Sequence, residues 1–298
     1  MNKIFLLGAK DPEMDMIESI LIEHQLNYTY AEADNRRCHP GNSYRAENIL
    51  DDYDKVIYIE SGTIKNYENT VSLDHHHEGD FGYDKKYHLF LEASSIGQLI
   101  KYLIDNELYN VESVDYWMTY CIYGFMYLTD NGWFYRKSKN EFIPISKKIV
   151  LVAAADHSLS EAYKGICPGV EKFDLIEERY LEIASAFNND IELVKNTMLK
   201  YMSIFSIHSQ EILDLRYLDL GTGYSVDYLC LRELAISNDQ PVLVKTKDSE
   251  DSSERVMFLS LSFDQATDIL KNKSFLDFKL DRIFGVPVRG YVGGFIKR

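Results

Sequence analysis

A run of four apolar residues, Ile4–Leu7, stops at Gly8 and is followed at once by Asp11-Pro12 and a helical pattern. A continuous apolar run has no polar face. It therefore fits a strand buried on both sides, the situation of a parallel sheet. Asp11 has the chemistry of an N-cap and Pro12 that of a first helical residue. Met14, Ile17, Ile20 and Leu21 then recur at helical spacing to about Gln25. Further strands are expected at Tyr28–Ala31, Lys55–Ile59 and Thr70–Leu73. Polar clusters follow strands one, three and four. In open α/β sheets ligands bind beyond the carboxyl ends of the strands, so groups far apart in sequence can meet there.

The middle of the chain reads as helical over Ser95–Asn106, Val114–Leu128 and Lys147–Lys164. In the last of these, three successive alanines favour helix over strand, and Gly165 suits the residue just past its end. The tyrosines of 116–127 stand at helical spacing and read as core or as an interface, which leaves a homodimer open. Residues 173–207 contain no Pro or Gly and read as one long helix or two. From Arg216 onward short apolar runs alternate with polar loops. The expected fold is α/β: an N-terminal parallel-sheet, Rossmann-like domain with a helical insert and a connector helix over 1–208, then a smaller α+β domain over 209–298.

Charge narrows the partners. The chain of 298 residues has 47 acidic against 32 basic side chains, a net charge of −15. No basic face is implied for long duplex nucleic acid or for a membrane surface. Four scattered cysteines without a CxxC pair suit a reducing compartment. The N-terminus has no signal-peptide pattern, and Ile149–Ala155 is far short of the ~20 residues of a membrane span. A soluble cytoplasmic protein is expected.

The strongest chemical signal is Asp74-His75-His76-His77-Glu78-Gly79-Asp80, at the end of a strand. Imidazole and carboxylate are the usual ligands of Mn²⁺, Zn²⁺ and related ions. Successive side chains diverge, so one ion cannot take all three histidines; one fits a ligand and another a substrate contact. A second acidic group, Asp11, Glu13 and Asp15 with Glu18 one turn on, begins the first helix, where acids are also ordinary partners of the helix dipole. Glu60 ends a buried strand, where a charge is costly without a partner. Asp156-His157 places polar groups in an alanine-rich helix.

Asp74-His75-His76 resembles the signature of the DHH phosphoesterase superfamily, which includes manganese-dependent pyrophosphatases, RecJ-type exonucleases, nano-RNases and cyclic-dinucleotide phosphodiesterases. Pro12-Glu13-Met14-Asp15-Met16-Ile17-Glu18-Ser19 follows the frame of that family's first motif. Glu60 stands where members carry a strand-end Asp, and Asp156 where they carry a later Asp. The resemblance implies a DHH-type domain with Mn²⁺ or another divalent metal, two ions in all. Glu13 and Glu60 would hold one ion; Asp15, Glu60, His75 and Asp156 the other. His76 would touch the scissile phosphate, with Asp74 beside it in the catalytic set. The chain departs from the family at Ala9, where a histidine is usual, at Glu13 and Glu60, where Asp is usual, and at Glu18, where Gly is usual. The resemblance covers roughly residues 1–165, and Arg289–Gly294 is only a loose echo of the glycine-rich motif of the usual second domain. The run from Ala155 to Val170 is also similar to phage-encoded proteins, which implies the cytoplasm of a host.

A phosphate needs cations near the metals. Arg36, Arg37, His39, Asn42 and Arg45 lie in or beside the loop CHPGNSYR, and Arg289 lies in the second domain. Arg binds two phosphate oxygens with its planar fork. Cys167 reads as a buried structural thiol, and Gly221-Thr222-Gly223 as a turn.

The expected function is metal-dependent hydrolysis, by metal-activated water, of a small phosphorylated substrate: a nucleotide, a cyclic nucleotide signal or a short oligonucleotide. The alternative is a degenerate relative that binds and sequesters a nucleotide signal without cleaving it, as a phage protein acting against a host defence would.

Overall fold

The structure is a computed structural model and describes residues 2–298 except 110, 116–120, 139–140, 208–209, 213–214, 222–224, 248–252, 276–277, 287–289 and 297–298. It forms two compact units, Met1–Glu178 and Arg179–Arg298.

The first unit opens with β1 (Lys3–Leu7), α1 (Pro12–Glu23), β2 (Tyr28–Tyr30) and a small ribbon of β3 (Glu32–Ala33) and β4 (Arg36–Arg37). Strands β5 (Lys55–Ile59) and β6 (Thr70–Leu73) complete a four-stranded parallel sheet in the order β2-β1-β5-β6. The expected strands are all present. Burial explains them: β1 is buried along Ile4–Leu7 because both faces are covered. Ile4, Leu6 and Val56 pack with Ala31, Cys38, Ala46 and Leu50, while Phe5 meets the ring of Tyr102 edge-on. Helix α1 begins as read, with Asp11 Oδ1 accepting from the Met14 amide at 2.7 Å and Pro12 at the first position.

Helices α2 (Phe90–Ala93) and α3 (Ser95–Asp105) follow, the latter capped by Ser94. The next segment corrects the expected helical insert. Instead of a helix over 114–128, β7 (Val114–Asp115), β8 (Cys121–Tyr123), β9 (Met126–Thr129), β10 (Gly132–Arg136) and β11 (Glu141–Ile145) form an antiparallel sheet, ordered β7-β11-β10-β9-β8. Residues 116–120 lie outside the described residues. Tyr, Trp, Phe and Ile are strand formers, and Asp130-Asn131 make the tight turn between β9 and β10, with Gly132 opening β10 at φ +111. Gly124 turns β8 into β9 at φ +61, its Cα so close to the Glu92 carboxylate that a Cβ has no room.

The helix expected at 147–164 is present as α4 (Lys147–His157) and α5 (Leu159–Tyr163), broken at Ser158. Gly165 follows at φ +71. Helix α6 (Lys172–Ala186) contains the boundary between the units, and α7 (Ile191–Ile207) belongs to the second. The division expected at 208/209 is thus placed at 178/179, because Ile183, Val194, Met198 and Tyr201 share one core with Leu231, Val242 and Met257.

The second unit continues with β12 (Gln210–Ile212), β13 (Leu215–Asp219), α8 (Val226–Ser237), β14 (Val242–Lys247), β15 (Glu254–Leu259), α9 (Phe263–Asn272), β16 (Ser274–Phe275), β17 (Phe278–Val286) and β18 (Tyr291–Ile296). They build a seven-stranded mixed sheet, β12-β13-β14-β15-β18-β17-β16, in which β13 and β14 run parallel. Its alternating side chains feed two cores. Met257 and Leu259 pack on the α8 side, Val256 and Phe258 on the α9 side. The protein is therefore an α/β chain with a parallel N-terminal sheet and a C-terminal sheet domain. Among the described residues no helix is long and apolar enough to cross a membrane.

Candidate metal centre

Strand β1 is followed in sequence by β2 on one side of it, and the chain then returns to β5 on the other. This reversal opens a crevice at the carboxyl ends of β1 and β5. Gly8 and Glu60 stand there, one residue past each strand. The backbones approach closely: the Gly8 amide donates to the Ile59 carbonyl, and a Cβ on Gly8 would lie 2.3 Å from the Glu60 oxygen. Only glycine fits. Glu60 itself is held at φ +47, a left-handed conformation uncommon for a side-chain-bearing residue.

Four side chains meet at this point. Ligand atoms of Glu13, Glu60, His75 and Asp156 all lie within 4.8 Å of one another. Each comes from a different element: the first turn of α1, the end of β5, the end of β6 and the last turn of α4. Helix α3 aims its N-terminus at them. The Ile96 amide donates to Glu13 Oε1 at 2.9 Å, and the Ser95 hydroxyl donates to Glu60 Oε1 at 2.8 Å. A helix N-terminus favours negative charge. The C-terminal turn of α4, carrying Asp156, favours a cation instead.

His75 is buried, with Nδ1 3.3 Å from Ser95 Oγ and Nε2 3.0 Å from Asp156 Oδ2. Among the described residues neither this Nε2 nor the buried Glu13 Oε2 has a partner in hydrogen-bonding geometry. Two buried polar atoms with no proton donor or acceptor properly placed are costly, unless a common ion takes them. Burial, then Asp156 and Glu60, push the Glu13 carboxyl well above the usual carboxylate range; burial, then Glu60 and Asp156, do the same to Asp11. Three carboxylates and one imidazole form a donor set suited to Mn²⁺, Zn²⁺ or a related divalent ion, and such an ion would neutralise this repulsion. The residues fit the group.

The three acids at the start of α1 have different surroundings. Glu13 belongs to the cluster, and Glu60 and Asp156 are among the charges that raise the Asp11 carboxyl. Asp15 is half-exposed and pairs with Lys10 at 3.9 Å. Asp11 precedes the helix as its cap. Glu18 accepts hydrogen bonds from the hydroxyls of Tyr28 and Tyr30 and braces α1 against β2.

The second histidine, His76, stacks on the ring of His75 at 4.3 Å, and its Nδ1 lies 2.9 Å from Asp74 Oδ1. Asp74 is buried and held in place. Its Oδ1 also accepts from the His75 and His76 amides, and its Oδ2 accepts from the Tyr44 hydroxyl at 2.8 Å. Burial alone would raise its pKa, but the bonds from His76 and Tyr44 outweigh it and hold the group below the usual carboxylate range. His77 is mostly exposed, beside Asp80 and edge-on to Tyr44. His157, next to Asp156, donates from Nε2 to the Lys85 carbonyl and meets His75 edge-on at 5.3 Å.

The cationic loop divides. Arg37 donates from Nε and Nη2 to the Gly8 carbonyl, both at 3.2 Å, and lies over the Tyr30 ring. It therefore braces the turn that carries Asp11. His39 and Asn42 hold the loop's own turn: the Asn42 side chain accepts from the His39 amide and His39 Nδ1 from the Gly41 amide. Arg36 and Arg45 are exposed. Arg289, with Thr222 and Gly223, lies outside the described residues. Cys167 is buried, its thiol pushed up by burial to about 12. Ser95 and Tyr44 are not among the residues expected from the sequence; serine at the start of a helical pattern is the signal that the first one carries.

No family model matches the chain, and no curated protein matches it. Among solved structures it is similar to exonuclease RecJ bound to manganese, with 10% identity, a TM-score of 0.42, and coverage of 99% of this chain and 86% of that one. It is also similar to the pGpG-specific phosphodiesterase PggH from Vibrio cholerae, with 10% identity, a TM-score of 0.38, and coverage of 99% and 93%. At these scores neither likeness bears on the chemistry of this chain.

Proposed function

We propose that the protein is a divalent-metal-dependent phosphoesterase of the DHH type that hydrolyses a small phosphorylated substrate such as a nucleotide, a cyclic nucleotide signal or a short oligonucleotide. The observation that carries this is the convergence of Glu13, Glu60, His75 and Asp156 beside the Asp74-His75-His76 motif. These four would hold one ion, Mn²⁺ or a close relative. Asp11 and Glu60 are the groups available to a second. A bound ion would supply an activated water and stabilise charge on the phosphoryl oxygens.

The chain's own residues do the rest. Ser95 and the Ile96 amide orient the Glu60 and Glu13 carboxylates. Asp74 orients His76, which stands at the edge of the cluster to meet the phosphate. A small substrate is consistent with the net charge of −15, which disfavours a long polyanion.

The test is turnover of a nucleotide panel with Mn²⁺ by the wild type, His75→Ala, Asp156→Ala and Asp74→Ala, with circular dichroism confirming the fold. Loss in all three supports the assignment; undiminished turnover in all three sinks it. A second reading, binding without cleavage, is favoured by Ala9, which offers no ligand ahead of Asp11. Intact nucleotide recovered by chromatography after tight binding would select it.

A further inference from the structure

The hydrogen bonds around Asp74 settle more than its own position. Asp74 is 1% exposed. Its Oδ1 takes two backbone amides and the His76 ring nitrogen; among the described residues its Oδ2 takes one donor, the hydroxyl of Tyr44. Oδ1 already accepts from two backbone N–H groups, so it is an acceptor toward the ring as well. The His76 nitrogen facing it, Nδ1, must therefore carry a proton, which leaves Nε2 as the atom that meets a substrate.

We infer that Tyr44 is a positioning residue that, through Asp74, holds His76 in the Nδ1–H tautomer. This rests on the phosphoesterase reading only for its consequence, the use of Nε2 at the phosphate. The structural basis is the unequal satisfaction of the two Asp74 oxygens. Oδ1 is anchored by the backbone; Oδ2 is buried and depends on one side chain. Remove the tyrosine hydroxyl and the carboxylate has a buried oxygen without a donor. The carboxylate then gains by rotating toward other donors, and its bond to Nδ1 loosens. Tyr44 comes from the loop after Asn42, in the turn pinned by His39 and Asn42. Its ring also meets His77 edge-on at 4.4 Å. The loop is thereby tied to the histidine motif at two points, and its order is transmitted to the ring that faces substrate.

The test is the ¹⁵N shift pattern of the His76 ring, assigned by comparison with His76→Gln, in wild type and in Tyr44→Phe, both in metal-free buffer. A protonated Nδ1 and a bare Nε2 in wild type are expected, with Tyr44→Phe moving both shifts toward the average of two tautomers. The Mn²⁺-induced rise in melting temperature should be the same in both, since Tyr44 touches no proposed ligand. If hydrolysis is observed, kcat should fall about tenfold or more with KM little changed. A protonated Nε2 in wild type, or unchanged shifts in Tyr44→Phe, overturns the inference. If Tyr44→Phe fails to fold, the wild-type tautomer decides alone. Absence of hydrolysis with the expected tautomers would remove the phosphoesterase reading and leave this one standing.

Discussion

Carboxylate oxygens of Glu13 and Glu60 lie within 4.8 Å of each other in the interior, although one residue begins a helix and the other ends a strand. Two buried acids in contact repel when both are ionised, and a third, Asp156, adds to the repulsion.

Replacing Glu13 by Gln removes one of these charges and keeps the shape. The metal-free variant should melt no lower than wild type. Wild type should gain about 2.7 kcal/mol of stability at a Mn²⁺ concentration a hundred times Kd; the variant should gain almost none. Thermal denaturation with and without Mn²⁺ measures both. A metal-free variant less stable than wild type would count against the repulsion.

The same contact sets a pH dependence. Asp11 and Glu13 are held above the usual carboxylate range by burial first and by neighbouring carboxylates second. Between the unfolded and folded pKa values the native state binds more protons, so this contribution to stability falls as pH rises above about 4. Metal affinity should rise over the same window, because the ion competes with those protons. Urea midpoints of wild type and Glu13→Gln from pH 5 to pH 8 isolate the effect: the metal-free difference between them should widen with pH in favour of the variant.

Gly82 couples packing to the site. A Cβ there would lie 2.0 Å from the Ala93 carbonyl oxygen and 2.5 Å from the Cβ of His75. Gly82→Ala should cost roughly 1–3 kcal/mol by overpacking. It should also weaken Mn²⁺ binding in calorimetry, since His75 must shift. Unchanged affinity would show that His75 is not displaced.

In the second unit Arg179 grips Glu233 with two hydrogen bonds, Nε to Oε1 at 2.9 Å and Nη2 to Oε2 at 3.0 Å, and also pairs with Glu182. Glu233 is 1% exposed. Arg179→Ala removes both of these bonds from a buried charge and should cost about 3–5 kcal/mol. Arg179→Met with Glu233→Leu should recover most of the loss in equilibrium unfolding. A double variant as unstable as the single one would refute the assignment of the cost to stranded charge.

Local pattern determined the parallel sheet, the start of α1 and the residue types of the site. An apolar run buried on both faces, a proline after an N-cap and a histidine triplet at a strand end each carry their meaning in a few residues. The aromatic-rich 114–128 segment was ambiguous at that range, since tyrosine and isoleucine at mixed spacing suit either period. Its hairpin turn, Asp130-Asn131, stood just outside it. Tertiary structure decided which acids meet. The close approach of Gly8 to Glu60 brings the α1 start against the end of β5. It also decided that Arg37 braces the Gly8 turn and that Tyr44 reaches Asp74. Those outcomes depend on distances between chain segments that no local spacing encodes.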